Sequence, residues 1–590
     1  MVSGQSRAAA ALSAACCSAP PLAITMPRLV LIDHSLRDLG GHHYPYALGV
    51  LAAAAARELR PVLATHRRFR GREQLPGGWE VHALFRYESY SRHTLDQQGA
   101  TRSAGGRTDG SLPWLSRLRG LFEQQARRRR ARAFAADCAL LFRQVGLARG
   151  DHVFLATCSE LDLVGLVDYL ASDAATEAAA WHLQFHFPVF RGRETDYAPQ
   201  SASVAVLRAV FRAALKRVPR HRLHFHCTTE TLAEQYARLE VAPFHVLPYP
   251  VHELFRAPQR PPEPGQALRV ACVGHSRREK GYGHLQEIVG KLWDDFFATG
   301  RAQLVLQTGR RKFRLSLPGA GAAHSQPVSY APFPLGLERY AELVRSADVG
   351  LMVYDSERYY ARCSGVLLEM LCAGVPVIVP AGSWLAAQIA DENQRWLEDV
   401  ATRLRRVAWR DVTHGEVHGV VALGATPVGA AYAVPAGADE LLVSFRWPMT
   451  APAGVFVRIG IEQRDALGRT LCRAETIVGR GPLQHCVRAL AHLASGSVEV
   501  GVVWSNAWSA EPLALAEVAL EFMSAAGLPG GSCPMGAVGL AFSDVAQVSE
   551  LLREVLTHID HYRAHARRFS RTVADYHNSV RVVTELLEAQ

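Results

Sequence analysis

Between Arg362 and Pro380 the chain reads RCSGVLLEMLCAGVPVIVP, with one carboxylate set just behind a turn and a helix start. Ser364 is a residue type that caps a helix N-terminus, and Gly365 lets a ligand approach the backbone closely. Gly374 ends the predicted helix, and VPVIVP is a β-branched run suited to a parallel strand buried on both faces. The free N–H groups at the helix start, at Ser364, Gly365 and Val366, favour an anion such as a diphosphate. Their plainer role is ordinary capping. Glu369, about a turn further on, is spaced to accept hydroxyl hydrogen bonds from a ribose; its plainer role is to complement the helix dipole. These residue types in this order describe a site for a sugar nucleotide.

The elements that must position them follow from the pattern of the whole chain. Its 590 residues, 49% hydrophobic and 20% charged, suit a multidomain globular protein. No stretch reaches the 18 or more uncharged apolar residues of a membrane span. The net charge of +10 fits anionic partners without identifying one. Eleven cysteines, none in a C-x-x-C pair, read as thiols of a reducing cytoplasm rather than as a disulfide or zinc framework. Residues 1–26, rich in Ala and Ser, read as a disordered extension.

From residue 27 the pattern is strand (RLVLIDH), Gly40-Gly41, helix (YALGVLAAAAAREL) and strand (PVLATH), a βαβ unit. Further short apolar strands at HVFLATC, WHLQFHF, RLHFHCT and HVLPYPV extend it into a doubly wound α/β domain over 27–255. A Pro-rich polar linker at 256–267 leads to a second α/β domain, assigned to 268–400 and 534–590. Between them, 405–525 carries strands in period two, such as ELLVSFRW and GVFVRIGIEQ, which read as an inserted β-sandwich. Its Trp409, Trp447, Trp504 and Trp508 suit a core more than a sugar-stacking platform.

The stretch MLCAGVPVIVP with Glu369 ahead of it resembles the donor-binding segment of family 4 glycosyltransferases, which have the two-domain GT-B fold. VGHSRREKGY, with Gly274, Lys280 and Gly281, resembles that family's strand-end loop. LPYPVHELF resembles the run into its interdomain linker, and Gly40-Gly41 its N-domain glycine loop. The resemblance covers about 27–390 and 534–590. It implies two Rossmann-like domains facing across a cleft, transfer of a hexose from a nucleotide-diphosphate sugar, and retention of anomeric configuration. Two positions depart from the pattern. Ala361 stands where a glutamate is usual, and His275 where an arginine is usual, with Arg277 and Arg278 nearby.

Breaking the bond to a diphosphate needs that leaving group stabilised, and GT-B enzymes generally use basic side chains and amides rather than a metal. Lys280 is the point charge suited to this. Arg277 and Arg278 add donors or remain solvated turn charges. Gly40, Gly41 and His42 sit where the first strand meets its helix, the crevice of an open α/β sheet and the expected acceptor side. The resemblance puts a sugar-contacting histidine near His186; a core histidine is the other reading, and His182 is the weaker candidate. Catalytic roles are thus expected of His186, Lys280 and Glu369, with no metal and no cofactor beyond the donor itself.

The basic tract with Arg117, Arg119, Arg127 to Arg130 and Arg132 reads as a solvated helical face or as a peripheral contact with an anionic inner membrane surface. Nucleic acid is not an expected partner. The sequence therefore points to a cytoplasmic glycosyltransferase acting on a glycan or lipid-linked acceptor. The alternatives are a non-catalytic carbohydrate- or nucleotide-binding protein, or a GT-B epimerase or phosphorylase.

Overall fold

The computed structural model describes residues 26–89, 113–256, 265–274, 276–309, 314–316, 327–412, 420–424, 426–449, 451, 455–479, 486–506, 508–509, 511–528 and 533–589. The extension expected over 1–26 lies outside these apart from Met26, and so do His275 and most of the linker.

Seven parallel strands form the first sheet: β1 (Arg28–Asp33), β2 (Arg60–His66), β3 (Glu80–Phe85), β4 (His152–Cys158), β5 (Ala180–Phe185), β6 (Arg222–Cys227) and β7 (Phe244–Val246). Their order is β3-β2-β1-β4-β5-β6-β7, a doubly wound arrangement that reverses at β1. The apolar run RLVLID forms a strand buried on both faces, with Leu29, Val30 and Leu31 inaccessible to solvent. Helices such as His43–Ala55 cover the sheet.

The second parallel sheet contains β8 (Leu268–Cys272), β9 (Ala302–Thr308), β10 (Val328–Pro332), β11 (Val349–Leu351) and β12 (Val377–Pro380). Its last strand comes from far down the chain. β12 pairs in parallel with Gly539–Phe542, so the sheet runs β10-β9-β8-β11-β12 and then that late strand. At the start of β11, Asp348 accepts the Arg269 amide at 2.7 Å and the Arg563 guanidinium at 2.6 Å. It is a structural carboxylate.

Beyond helix Trp384–Arg403, the residues between the two paired strands fold as two antiparallel sheets. One holds β13 (Arg405–Asp411), β14 (Val420–Leu423), β16 (Glu440–Arg446), β19 (Cys486–His492) and β21 (Leu513–Ser524). The other holds β15 (Val428–Ala433), β17 (Phe456–Arg464), β18 (Thr470–Gly479) and β20 (Glu499–Ser505). Alternating residues such as Val457, Ile459 and Ile461 on β17 face Val443 and Leu520 in a shared core. Burial of each such side chain stabilises the fold by about 1.5–3 kcal/mol. Trp447 and Trp504 belong to this core, and Trp508 is buried where the insert meets both α/β sheets. Of the four tryptophans only Trp409 is exposed. The insert is fixed to the second α/β unit by Gln394, whose amide group exchanges two hydrogen bonds with the Arg488 backbone on β19.

This is an α/β protein of GT-B architecture, with two Rossmann-like sheets and an all-β region set into the second. The carboxyl edges of the two parallel sheets face each other. Gly40, after β1, lies so near Pro334, after β10, that a Cβ on it would come within 2.3 Å of the proline Cβ. Only glycine permits that approach. The chain ends by crossing back: Val251 donates its amide to the His577 carbonyl at 2.9 Å, and helix Ser579–Glu588 rests on helix His43–Ala55 at Gly49. Among the described residues, no helix is long and apolar enough to cross a membrane. The cysteines described are all free thiols.

Candidate functional site

The expected site residues within the described chain, His182 and the basic tract apart, lie on carboxyl-edge loops of the two sheets or on the helices that begin there. After β8 the backbone turns at Gly274 (φ 93°), whose amide donates to Gln307 Oε1 at 2.7 Å. The Tyr282 hydroxyl sits beneath the same turn, 3.2 Å from the Cys272 carbonyl. The loop closes at Gly281 (φ 70°), where a Cβ would lie 1.9 Å from the Val353 carbonyl oxygen. Two glycines thus fix the loop that bears Lys280.

Lys280 is folded back over the first of them. A Cβ on Gly274 would meet Lys280 Nζ at 2.7 Å and Val366 Cγ2 at 3.3 Å. The ammonium and the start of helix Gly365–Cys372 therefore converge on one small space above the Gly274 backbone. Ser364 caps that helix, its Oγ accepting the Leu367 amide at 3.3 Å. Lys280 Nζ also lies 4.9 Å from the Tyr354 ring centroid, a favourable place for a cation. Burial lowers its pKa, with Tyr359 opposing and Arg277 assisting. Bound phosphate would offset that desolvation. Arg277 and Arg278 are exposed, and Arg277 comes within 3.8 Å of Glu279.

Glu369 is buried (4% exposed) beside Lys280. Its Oε2 accepts the Tyr340 hydroxyl at 2.8 Å, so one of its oxygens is already engaged. Burial raises its pKa to about 7, against the hydrogen bond from Tyr340 and the charge of Lys280. A carboxyl poised at neutrality either accepts or donates a hydrogen bond to a hydroxyl.

The facing wall comes from the first sheet. Gly41 (φ 80°) turns the chain into helix His43–Ala55, and the His42 and His43 rings lie 4.2 Å apart. His42 keeps solvent contact inside the cleft. The packed walls around it, then His43, His186, Lys280 and Arg277, hold it well below the ordinary imidazole range. His186 follows β5 and lies 2.7 Å through Nε2 from the Ala156 carbonyl. Burial brings its pKa down to about 4 even so. It interacts electrostatically with His43, Asp33 and Arg362. The expected residues His42, His186, Lys280 and Glu369 are thus gathered at one cleft. His182 is not: it is buried inside the sheet between His152 (3.1 Å) and His226 (3.3 Å).

Two tertiary contacts join the walls at this level. The Tyr249 hydroxyl stands 3.0 Å from where a Gly365 Cβ would be. The Ala361 carbonyl accepts the Thr229 hydroxyl at 2.8 Å, and Ala361 is buried at 3% exposure.

Sequence reasoning did not single out Tyr340, Tyr249, Gln307 or the pair formed by Asp33 and His43. Asp33, at the end of β1, is 2.8 Å through Oδ2 from His43 Nδ1. A carboxylate closing the first strand and a second histidine in GGHHYP were the available signals.

The basic tract lies on helix Pro113–Val145, which packs against Glu88, Glu160 and Asp162 just beyond β3 and β4. The side chains of Arg117 and Arg119 fall outside the described ones. Arg127 pairs with Glu160 at 3.3 Å, and Arg130 is buried against Asp162 and the Glu88 carbonyl. Arg128, Arg129 and Arg132 remain exposed. The tract is therefore only partly a solvated face. Among the described residues, no group of three or more His, Cys, Asp or Glu is arranged to hold a metal ion.

No protein-family model and no curated protein matches this chain. Among solved structures, it is similar to trehalose-6-phosphate synthase OtsA, at 13% identity and a TM-score of 0.41, over 61% of this chain and 86% of that one. It is also similar to the N-terminal domain of trehalose-6-phosphate phosphatase from Candida albicans, at 11% identity and a TM-score of 0.39, over 62% and 85%. The glycosyltransferase SnogD from Streptomyces nogalater matches at 17% identity and a TM-score of 0.30, over 60% and 82%. Likenesses this distant carry no argument about activity, and the architecture rests on the chain's own two parallel sheets.

Proposed function

We propose that the protein is a glycosyltransferase that moves a hexose from a nucleotide-diphosphate sugar to a hydroxyl of a glycan or lipid-linked acceptor. The observation that carries this reading is the convergence of Lys280 Nζ and the Gly365–Cys372 helix start over the Gly274 backbone, with Glu369 alongside. An ammonium and free amides in one recess suit a diphosphate, and a buried carboxyl about a turn away suits a ribose. In this reading Lys280 and the amides, rather than a metal, meet the charge that develops on the leaving diphosphate. Gly274, Ser364, Gly365 and Val366 supply the close backbone, and Arg277 and Arg278 the outer rim; His275, expected with them, lies outside the described residues. The acceptor enters past Gly40, Gly41, His42 and His186. Retention of configuration rests on the family resemblance alone, and a cytoplasmic location on the unpaired cysteines. Peripheral membrane contact would fall to Arg128, Arg129 and Arg132.

The test is a panel of UDP-, GDP- and ADP-sugars, scored for thermal stabilisation and for release of the nucleoside diphosphate. Stabilisation by one base series with release of its diphosphate is expected. No binding by any donor would end the proposal.

A second reading, a non-catalytic nucleotide- or sugar-binding protein, is favoured by Ala361. The position lies buried with its carbonyl bonded to Thr229, so no carboxylate reaches the transferred sugar from there. Binding without turnover across donors and acceptors would select it.

A further inference from the structure

Arg362 is a second cation at the cleft, and its surroundings differ from those of Lys280. Its backbone is held on both sides. Ala361 before it is bonded through its carbonyl to Thr229 of the first unit, and Ser364 after it caps helix Gly365–Cys372. The guanidinium carbon lies 5.9 Å from the Tyr359 ring centroid. That ring lies 4.7 Å from the Tyr354 ring, which has Lys280 Nζ 4.9 Å from its own centroid. Each ring of a tyrosine pair thus carries one cation. Lys280 belongs to the recess above Gly274, whereas the charge of Arg362 is felt at His186 on the opposite wall.

Arg362 also lacks a counter-charge. Arg277 has Glu279 within 3.8 Å, but among the described residues no carboxylate comes within ion-pair distance of Arg362. Glu230 acts on the neighbouring Cys363 without pairing with Arg362. A glutamate at 361 would put a carboxylate beside it; Ala361, 3% exposed, puts none. The half-buried guanidinium presents a planar fork of N–H donors that matches the two oxygens of a carboxylate. A donor holds its sugar one bond from its diphosphate. Arg362 stands three positions before the helix start suited to that diphosphate, on the side toward His186. The group it meets therefore belongs to the transferred sugar.

We propose that Arg362 reads an acidic group on the transferred sugar, so that the donor is a nucleotide-diphosphate hexuronic acid. This rests on the transferase reading above and narrows its substrate. The carboxylate at C6 of the sugar pairs with the guanidinium. A neutral hexose offers only hydroxyls there and leaves the charge without a counter-ion when the cleft is filled.

The test compares each neutral donor with its uronic acid in one base series: UDP-glucose with UDP-glucuronate, GDP-mannose with GDP-mannuronate, ADP-glucose with ADP-glucuronate. Calorimetric titration of the wild-type protein should favour the uronate about 10-fold or more in the series that binds. Arg362→Gln should abolish that preference, while affinity for the bare nucleoside diphosphate falls far less. Arg362→Lys keeps the charge without the fork and should restore part of the preference. Lys280→Met should instead weaken both donors and the bare nucleoside diphosphate alike. Equal affinity for the two donors, or preference for the neutral one, overturns the proposal. A preference that survives Arg362→Gln overturns it as well. If Arg362→Gln weakens the bare nucleoside diphosphate as much as the uronate, the guanidinium serves the diphosphate and the proposal falls. Binding of neutral and uronic donors alike would sink this inference and leave the transferase reading standing. If no donor and no nucleoside diphosphate binds, the transferase reading fails first and this one with it.

Discussion

On the wall that carries Lys280, the groups suited to a nucleotide are backbone amides, one ammonium and the Glu369 carboxyl, and the loop bearing the ammonium turns at Gly274 and Gly281. On the opposite wall they are side chains: His42, His43 and His186, sorted by what lies behind each. Under the proposed transferase reading, the difference matches what each side would recognise. A diphosphate common to all donors would be met largely by fixed backbone, and varying acceptors by replaceable side chains. Substitutions on the first wall should therefore cost binding and structure together, and those on the second should cost turnover alone.

The largest contrast should come from Gly281→Val. Its φ is positive and a Cβ there meets the Val353 carbonyl at 1.9 Å, so the Lys280 loop cannot keep its path. We expect nucleotide binding to be lost and the melting temperature to fall by at least several degrees, a cost of about 3 kcal/mol or more. Calorimetry and a binding titration check this; a normal melt with normal affinity would erase the distinction between the walls. Glu369→Ala should follow, weakening nucleoside diphosphate about 10–100-fold, equivalent to about 1.4–2.8 kcal/mol. Unchanged affinity would remove Glu369 from the ribose.

A smaller effect separates the groups on one wall. Tyr340→Phe takes away the hydroxyl that bonds Glu369 at 2.8 Å. That bond favours the ionised carboxylate, so its loss should raise the Glu369 pKa further above about 7. Nucleotide affinity, measured against pH, should shift its inflection upward while changing only a few-fold at its maximum.

The least local test concerns histidines buried in the first sheet rather than at its edge. Burial holds His182 well below the ordinary range and His226 at about 3. In the unfolded chain both take protons near pH 6.5. Below that value the unfolded state binds more protons than the folded one, so stability falls as the pH drops. For His226 the fall continues toward pH 3, at up to about 1.4 kcal/mol per pH unit. Urea melts at pH 7 and pH 5 should show the loss, and His226→Gln should reduce it.

Much of this architecture was legible in the chain because it depends on local pattern. Runs such as RLVLID and VPVIVP are buried on both faces and read as parallel strands. The alternation in GVFVRIGIEQ reads as a strand with one covered face. Ser364 and Gly374 mark the two ends of their helix. What could not be read depends on contacts between distant residues. Tyr340 lies 29 positions before the carboxylate it bonds. Asp33 and His43 are separated by a whole turn, whose course decides whether they meet. Arg130 looked like one more solvated charge, yet the fold turns it inward onto Asp162, because helix Pro113–Val145 packs there against the first sheet. His182 and His186 share a strand face in sequence, but the sheet encloses one and its carboxyl edge exposes the other to the cleft.

The return of the chain at His577 has a mechanical consequence. The polypeptide passes from the first α/β unit to the second after Val251 and comes back at His577, and these two passages are bonded to each other, Val251 to His577 and His577 Nδ1 to the Tyr249 carbonyl at 3.0 Å. A body held at two adjacent points behaves like a door on a double hinge. It swings about one line but resists twisting or sliding across it. Opening for a donor and closing on an acceptor would then retrace the same arc, with Tyr249 carried on the hinge itself and its hydroxyl against Gly365 acting as the doorstop.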